Sequence, residues 1–173
     1  MKKYFVGSCI LIFGFLMLVV MGLTGSQAKL PHPAVKVLSI PSPAFEMPRE
    51  DVKYTNYGRI FLEATAEYIR APLILPNGTK ITKVELVCKD ASASASMRLW
   101  IHATNNDGSK SSPICEVAST GTGIGYRTFS TTAINPSVID NSVYFYVLNV
   151  RISEKGQAVF EFCGAKVYYE GSW

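Results

Sequence analysis

Ile81-Thr82-Lys83-Val84-Glu85-Leu86-Val87-Cys88-Lys89 is the stretch on which the fold turns. Val84, Leu86 and Cys88 alternate with Lys83, Glu85 and Lys89. A period of two puts the apolar set on one side of an extended chain and the charges on the other, so the stretch predicts a half-buried β-strand.

The same kind of pattern continues outward in both directions. Upstream, residues 59–64 and 68–75 are rich in β-branched and aromatic side chains, and Pro76-Asn77-Gly78-Thr79 supplies turn chemistry before the next strand. Downstream, small residues from Asp90 to Ser96 form a loop that leads into 97–103. There Leu99, Ile101 and Ala103 face one way and Arg98, Trp100 and His102 the other. Asn105-Asn106-Asp107-Gly108 turns the chain into a strand at 114–118, and the run Gly121-Thr122-Gly123-Ile124-Gly125 reads as a flexible connection to 126–132. Residues 143–152 are apolar on both faces, as expected of a central strand in a two-layer structure. Residues 157–169 close the chain with a kink at Gly164. Apart from room for a helical turn within 60–69, no useful length beyond residue 30 shows a 3.6-residue period. Short strands at this spacing predict an all-β fold, an antiparallel two-sheet sandwich of jelly-roll-like kind.

The amino terminus has a different character. Lys2 and Lys3 precede an uncharged apolar run from Tyr4 to Leu23, and Ser26-Gln27-Ala28 puts small residues where a signal peptidase inspects them. These are the parts of a secretory signal in order, with cleavage after Ala28. The run is also about long enough to span a bilayer, so an uncleaved membrane anchor is the alternative. Residues 29–50 hold five of the nine prolines, Pro31, Pro33, Pro41, Pro43 and Pro48, and read as an extended stalk. Within it, Ala34 to Ile40 alternates well enough to be a strand, either along the edge of the main domain or donated to a neighbouring subunit. The expected organisation is therefore signal peptide 1–28, stalk or edge strand 29–50, and sandwich 51–173. The product is expected to be secreted or held at the cell surface.

Charge and cysteines narrow the function classes. The formal charge of +4 includes Lys2 and Lys3 and no acid of the signal, so the exported part carries +2, scattered among acids. That is not the basic footprint nucleic acid demands. Cys88, Cys115 and Cys163 remain after processing, in a compartment where disulfides persist, and one bridge plus a free thiol is the simplest count. Cys88 and Cys115 are expected to point inward, and Cys163, beside Gly164, to sit at a bulge. A metal site has no support, since there is no C-x-x-C and the two histidines, His32 and His102, lie far from the cysteines in sequence. No cofactor is implied.

From about Ile40 to its end the chain resembles a recurring type of secreted bacterial β-sandwich domain of unassigned function. The resemblance is carried by Ile40-Pro41 with Ala44-Phe45, by Ala71 to Thr82 around Leu75-Pro76-Asn77-Gly78, by Asp90 with its small-residue loop, and by Ala118-Ser119-Thr120-Gly121. It continues in Asp140-Asn141-Ser142-Val143-Tyr144-Phe145-Tyr146 and in Gly164-Ala165-Lys166-Val167-Tyr168-Tyr169. It implies the sandwich and no catalytic residues.

A glycosidase needs two carboxyl groups facing one bond, and Asp90, Asp107, Glu116 and Asp140 are candidates only as loop acids. His102 has no nucleophile elbow near it, and the glycine run lacks the spacing and lysine of a phosphate loop. The leading expectation is a non-catalytic structural or interaction module that associates with itself through the strand near Val35 to Ile40. The alternative is a carbohydrate-binding module for surface glycans, in which Trp100 stacks on a sugar while Arg98 and His102 supply polar contacts. A hydrolase without a recognisable motif is third.

Overall fold

The computed structural model describes residues 34–46, 52–55, 57–62, 67–153 and 159–171. The signal segment and residues 29–33 lie outside the described residues, as does part of the 60–69 stretch where a helical turn was conceivable. The elements are β1 (Lys36–Pro41), a 3-10 turn (Ser42–Ala44), β2 (Val52–Tyr54), β3 (Ile60–Leu62), β4 (Glu67–Leu73) and β5 (Lys80–Asp90). They continue with β6 (Arg98–Asn105), β7 (Ser111–Ala118), β8 (Gly123–Thr131), β9 (Tyr144–Ile152) and β10 (Phe160–Glu170).

Two antiparallel sheets result, as the alternating patterns predict. One has six strands in the order β2-β3-β10-β5-β8, with β1 also paired to β10, and the other has four in the order β4-β9-β6-β7. The inward set of β5, with Val84, Leu86 and Cys88 fully buried, meets Leu99 and Ile101 of β6 and Leu148 and Val150 of β9 in one core. Lys83, Glu85 and Lys89 face outward. Glu85 is nonetheless almost buried, because Lys83 Nζ at 2.8 Å and the Tyr168 hydroxyl at 3.0 Å close over it. Burial pushes its carboxyl up, and these two partners more than offset that, leaving it below the ordinary carboxylate value.

Several expectations change in detail. The strand expected in the proline-rich segment is β1, and it lies in its own chain, running antiparallel to β10 from Lys36↔Tyr169 to Pro41↔Gly164. It lies at an edge of its own chain's six-stranded sheet. Gly123 and Gly125 belong to β8 instead of to a free connection, and the Arg127 side chain lies 3.2 Å from where a Cβ on Gly123 would be. Arg127 Nη2 donates to the carbonyls of Asp90 at 3.0 Å and Gly121 at 2.6 Å.

The disulfide expectation is corrected outright: Cys88, Cys115 and Cys163 are free thiols. Cys88 and Cys115 do both point into the core, but from different sheets, β5 and β7. Cys163 sits at the expected bulge of β10, where the register shifts between Phe162 and Gly164, and lines the outer side of the six-stranded sheet. Burial pushes the Cys88 thiol up to about 12 and the Cys115 thiol up to about 11, so both are inert protonated core residues.

The motifs of the resemblance become loop joints. Asn77-Gly78 is a turn, with Gly78 at φ 77, a left-handed conformation glycine adopts without strain. The Asn77 side chain accepts from the Asn141 amide at 2.8 Å, and Asn141 Nδ2 donates to the Leu75 carbonyl at 2.9 Å. Asp90 is buried, accepting from the Ser92 amide at 3.0 Å and from the Ser119 hydroxyl, whose oxygen in turn accepts from the Met97 amide at 2.8 Å.

Candidate functional site

The four-stranded sheet presents an outer face built by period-two alternation. On β6 the buried residues Leu99, Ile101 and Ala103 leave Arg98, Trp100, His102 and Thr104 pointing out, as their alternation predicts. On β9, burial of Tyr146, Leu148, Val150 and Ile152 turns Phe145, Val147, Asn149 and Arg151 to the same side. On β4, burial of Ile69, Ala71 and Leu73 does this for Tyr68, Arg70 and Pro72.

The registers lay these side chains out in rows across the strands. Tyr68 stands opposite Arg151, which stands opposite Arg98. In the next row Arg70 faces Asn149, Asn149 faces Trp100, and Trp100 faces Glu116 of β7. Val147 then pairs with His102, and Phe145 with Thr104. A shift in the β6–β7 register after Ile101 sets His102 opposite Pro113, at an irregular point of the edge strand β7 where a proline costs no ladder bond.

A groove of about 550 Å³ runs over this face, walled by Tyr68, Arg70, His102, Phe145, Val147 and Asn149 together with Thr104 and Ser111. Phe145 is 47% exposed and Tyr68 44%, so no second layer covers them. The Tyr68 and Trp100 rings lie 6.2 Å apart with planes tilted by 36°, and the Arg151 guanidinium is 5.9 Å from the Tyr68 ring centre. His102 Nδ1 lies 3.3 Å from Ser111 Oγ, which also lies 2.8 Å from Thr104 Oγ1. Burial first, and the Arg70 charge second, pull the His102 imidazole below its ordinary value, so it is neutral at neutral pH and can donate or accept.

Of the three residues singled out in the sequence, His102 lines the groove directly. Trp100, half-buried, stands at its side against Tyr68. Arg98 is occupied elsewhere, donating to Glu116 Oε1 at 3.1 Å and to Ser96 Oγ at 3.4 Å. Tyr68, Arg70, Phe145, Val147 and Asn149 were not foreseen, although the apolar residues on both faces of 143–152 carried the signal. The outward apolar side of that strand floors an open groove instead of packing under a second layer.

The acids weighed as catalytic candidates are dispersed. Asp107 accepts from the Ser109 amide at 2.8 Å within its own turn, Glu116 pairs with Arg98, and Asp140 accepts from the Ser142 amide at 3.0 Å. Among the described residues, no three or more His, Cys, Asp or Glu side chains gather as they would around a metal ion.

The fold is shared with carbohydrate-binding modules. The chain is similar to the C-terminal family 6 module of LamC, a marine laminarinase of Zobellia galactanivorans. The TM-score is 0.52 and the identity 14%, over 76% of this chain and 98% of that one. A family 36 module of a multidomain xylanase from the hindgut metagenome of Trinervitermes trinervoides gives a TM-score of 0.50 and 7% identity, over 80% and 99% of the two chains. The xylanase 10B of Clostridium thermocellum, in a structure containing xylohexaose, gives 0.51 and 11%, over 81% of this chain and 28% of that longer one. At these identities the likeness is one of fold. No protein-family model and no curated protein matches the chain.

Proposed function

We propose that the protein is an exported carbohydrate-binding module that holds a surface or extracellular glycan on the outer face of its four-stranded sheet. The observation that carries this reading is the uncovered groove itself, in which aromatic rings and hydrogen-bonding side chains share one rigid face. Sugar rings have apolar C–H faces and polar rims, so they match flat aromatics such as Tyr68, Trp100 and Phe145 ringed by Asn149, His102 and Arg70. Strands hold these groups in place without a ligand, which lowers the ordering cost of binding. The fold neighbours include modules of carbohydrate-active enzymes, and the signal pattern read in the sequence of residues 1–28 agrees with a role outside the cytoplasm.

The test is a panel of soluble polysaccharides in affinity electrophoresis and calorimetry, comparing the wild type with Phe145→Ala and Trp100→Ala. Losing one stacking ring is expected to weaken binding by roughly tenfold, the equivalent of about 1.4 kcal/mol. Circular dichroism confirms that the fold is kept. Retention of full affinity by both folded variants rules out this face as the site.

A further inference from the structure

The outer face of the four-stranded sheet is cationic as well as aromatic. Arg70 on β4 and Arg151 on β9 project from it, both exposed, and among the described residues neither forms an ion pair. Arg98, directly across from Arg151, is neutralised by Glu116 at 3.1 Å. Glu46 stands across an isolated bridge from Arg70 and bonds to it through the backbone, its amide donating to the Arg70 carbonyl at 2.6 Å.

The outer face of the six-stranded sheet is arranged differently. There Glu161 takes Arg59 at 3.5 Å and Lys89 at 3.4 Å, and Glu85 takes Lys83 at 2.8 Å. On the groove face, by contrast, Arg70 lines the groove and Arg151 stands beside it against the Tyr68 ring. An anion supplied from outside would find Arg70 and Arg151 without a carboxylate partner among the described residues.

We infer that the groove selects an acidic polysaccharide, one whose sugars carry carboxylates, with Arg70 and Arg151 as its specificity-determining residues. The inference rests on the carbohydrate reading above and adds the chemical class of the glycan. A sugar ring lying on Tyr68 or Phe145 directs its equatorial substituents along the sheet surface, so an equatorial carboxylate points toward the neighbouring guanidinium groups. Arg70 is opposite Asn149 and Arg151 opposite Tyr68, which makes the two arginines diagonal neighbours, about 7–8 Å apart at the backbone. Each presents a planar fork that pairs with a carboxylate through two parallel hydrogen bonds. His102, neutral beside Arg70, adds a hydrogen-bonding group without a third charge.

The experiment titrates the whole chain with polygalacturonate, with the same polymer after reduction of its carboxyl groups, with laminarin, and with a sulfated galactan, at two salt concentrations. The expected result is binding to polygalacturonate that weakens with salt, falls at least roughly tenfold in Arg70→Gln and in Arg151→Gln, and disappears with the carboxyl-reduced polymer. The reduced polymer needs no variant, so a folding defect cannot mimic that result. Equal binding of laminarin and polygalacturonate, unchanged in Arg70→Gln, overturns the acidic-glycan inference and leaves the carbohydrate reading standing. Preference for the sulfated galactan over polygalacturonate overturns the carboxylate assignment. Failure of every polymer to bind overturns both.

Discussion

At the scale of single residues, Gly164 shows how one position governs a whole edge. It sits at the β10 bulge with φ 149, and a Cβ there would lie 2.6 Å from the Ile40 carbonyl oxygen and 3.2 Å from Pro41 Cα. Both obstacles are backbone atoms of β1, which cannot rotate away as a side chain end can. Gly164→Ala is therefore expected to cost about 1–3 kcal/mol through backbone strain and a shifted β1, read as a lower urea midpoint with an unchanged slope. A midpoint within error of the wild type would mean that β1 yields freely. Residue-scale contacts also explain why one motif of the resemblance was legible only as a turn. Asn77-Gly78 announces a bend by its composition, but the Asn77 bond to the Asn141 amide spans 64 positions, and no local pattern encodes such a partner.

At the scale of elements, the proline-rich segment changes meaning most. Its alternation at 34–40 predicted a strand, and its prolines predicted a stalk. The structure shows one short path that ties the two sheets together. β1 extends the six-stranded sheet along β10, Phe45 then enters the core 4.8 Å from the Phe162 ring in an edge-to-face contact at 85°, and Glu46 bridges to β4 of the other sheet. Prolines suit this path because an edge strand has one side free of ladder bonds and a 3-10 turn accepts a proline near its start. Phe45→Ala is expected to destabilise the protein by about 3 kcal/mol, the low end of the range for a buried phenylalanine because an edge site relaxes more easily. A loss under about 0.5 kcal/mol in chemical denaturation, typical of surface positions, would return this segment to the status of a stalk. The strands themselves were readable because each alternates on its own, from Leu99, Ile101 and Ala103 to Val84, Leu86 and Cys88. Their neighbours were not, because strand order depends on pairings such as Arg70 with Asn149 that no single strand records. For the same reason the sequence offered His102 and Trp100, which share a strand, and missed Tyr68 and Phe145, which come to them from β4 and β9 only through the sheet pairings.

At the scale of the whole molecule, the two sheets divide their work. The outer face of the six-stranded sheet carries the Glu85 and Glu161 ion pairs, while that of the four-stranded sheet carries the groove, with its exposed rings and Arg70. The groove brings together side chains from separate strands, so a ligand that covers them binds the folded state and not the unfolded chain. Linkage then requires that binding stabilise the whole domain, by about 2.7 kcal/mol at a free ligand concentration one hundred times Kd. For a chain of this size that corresponds to a rise in Tm of roughly 5–10 °C. The rise is expected to follow the logarithm of the concentration of any polymer that the groove binds, and to shrink in parallel with affinity in Phe145→Ala. Differential scanning fluorimetry with and without polymer measures it directly. A polymer that binds in calorimetry yet leaves Tm unchanged at saturation would be holding the unfolded chain as well as the folded one, which a rigid groove assembled from four different strands does not allow.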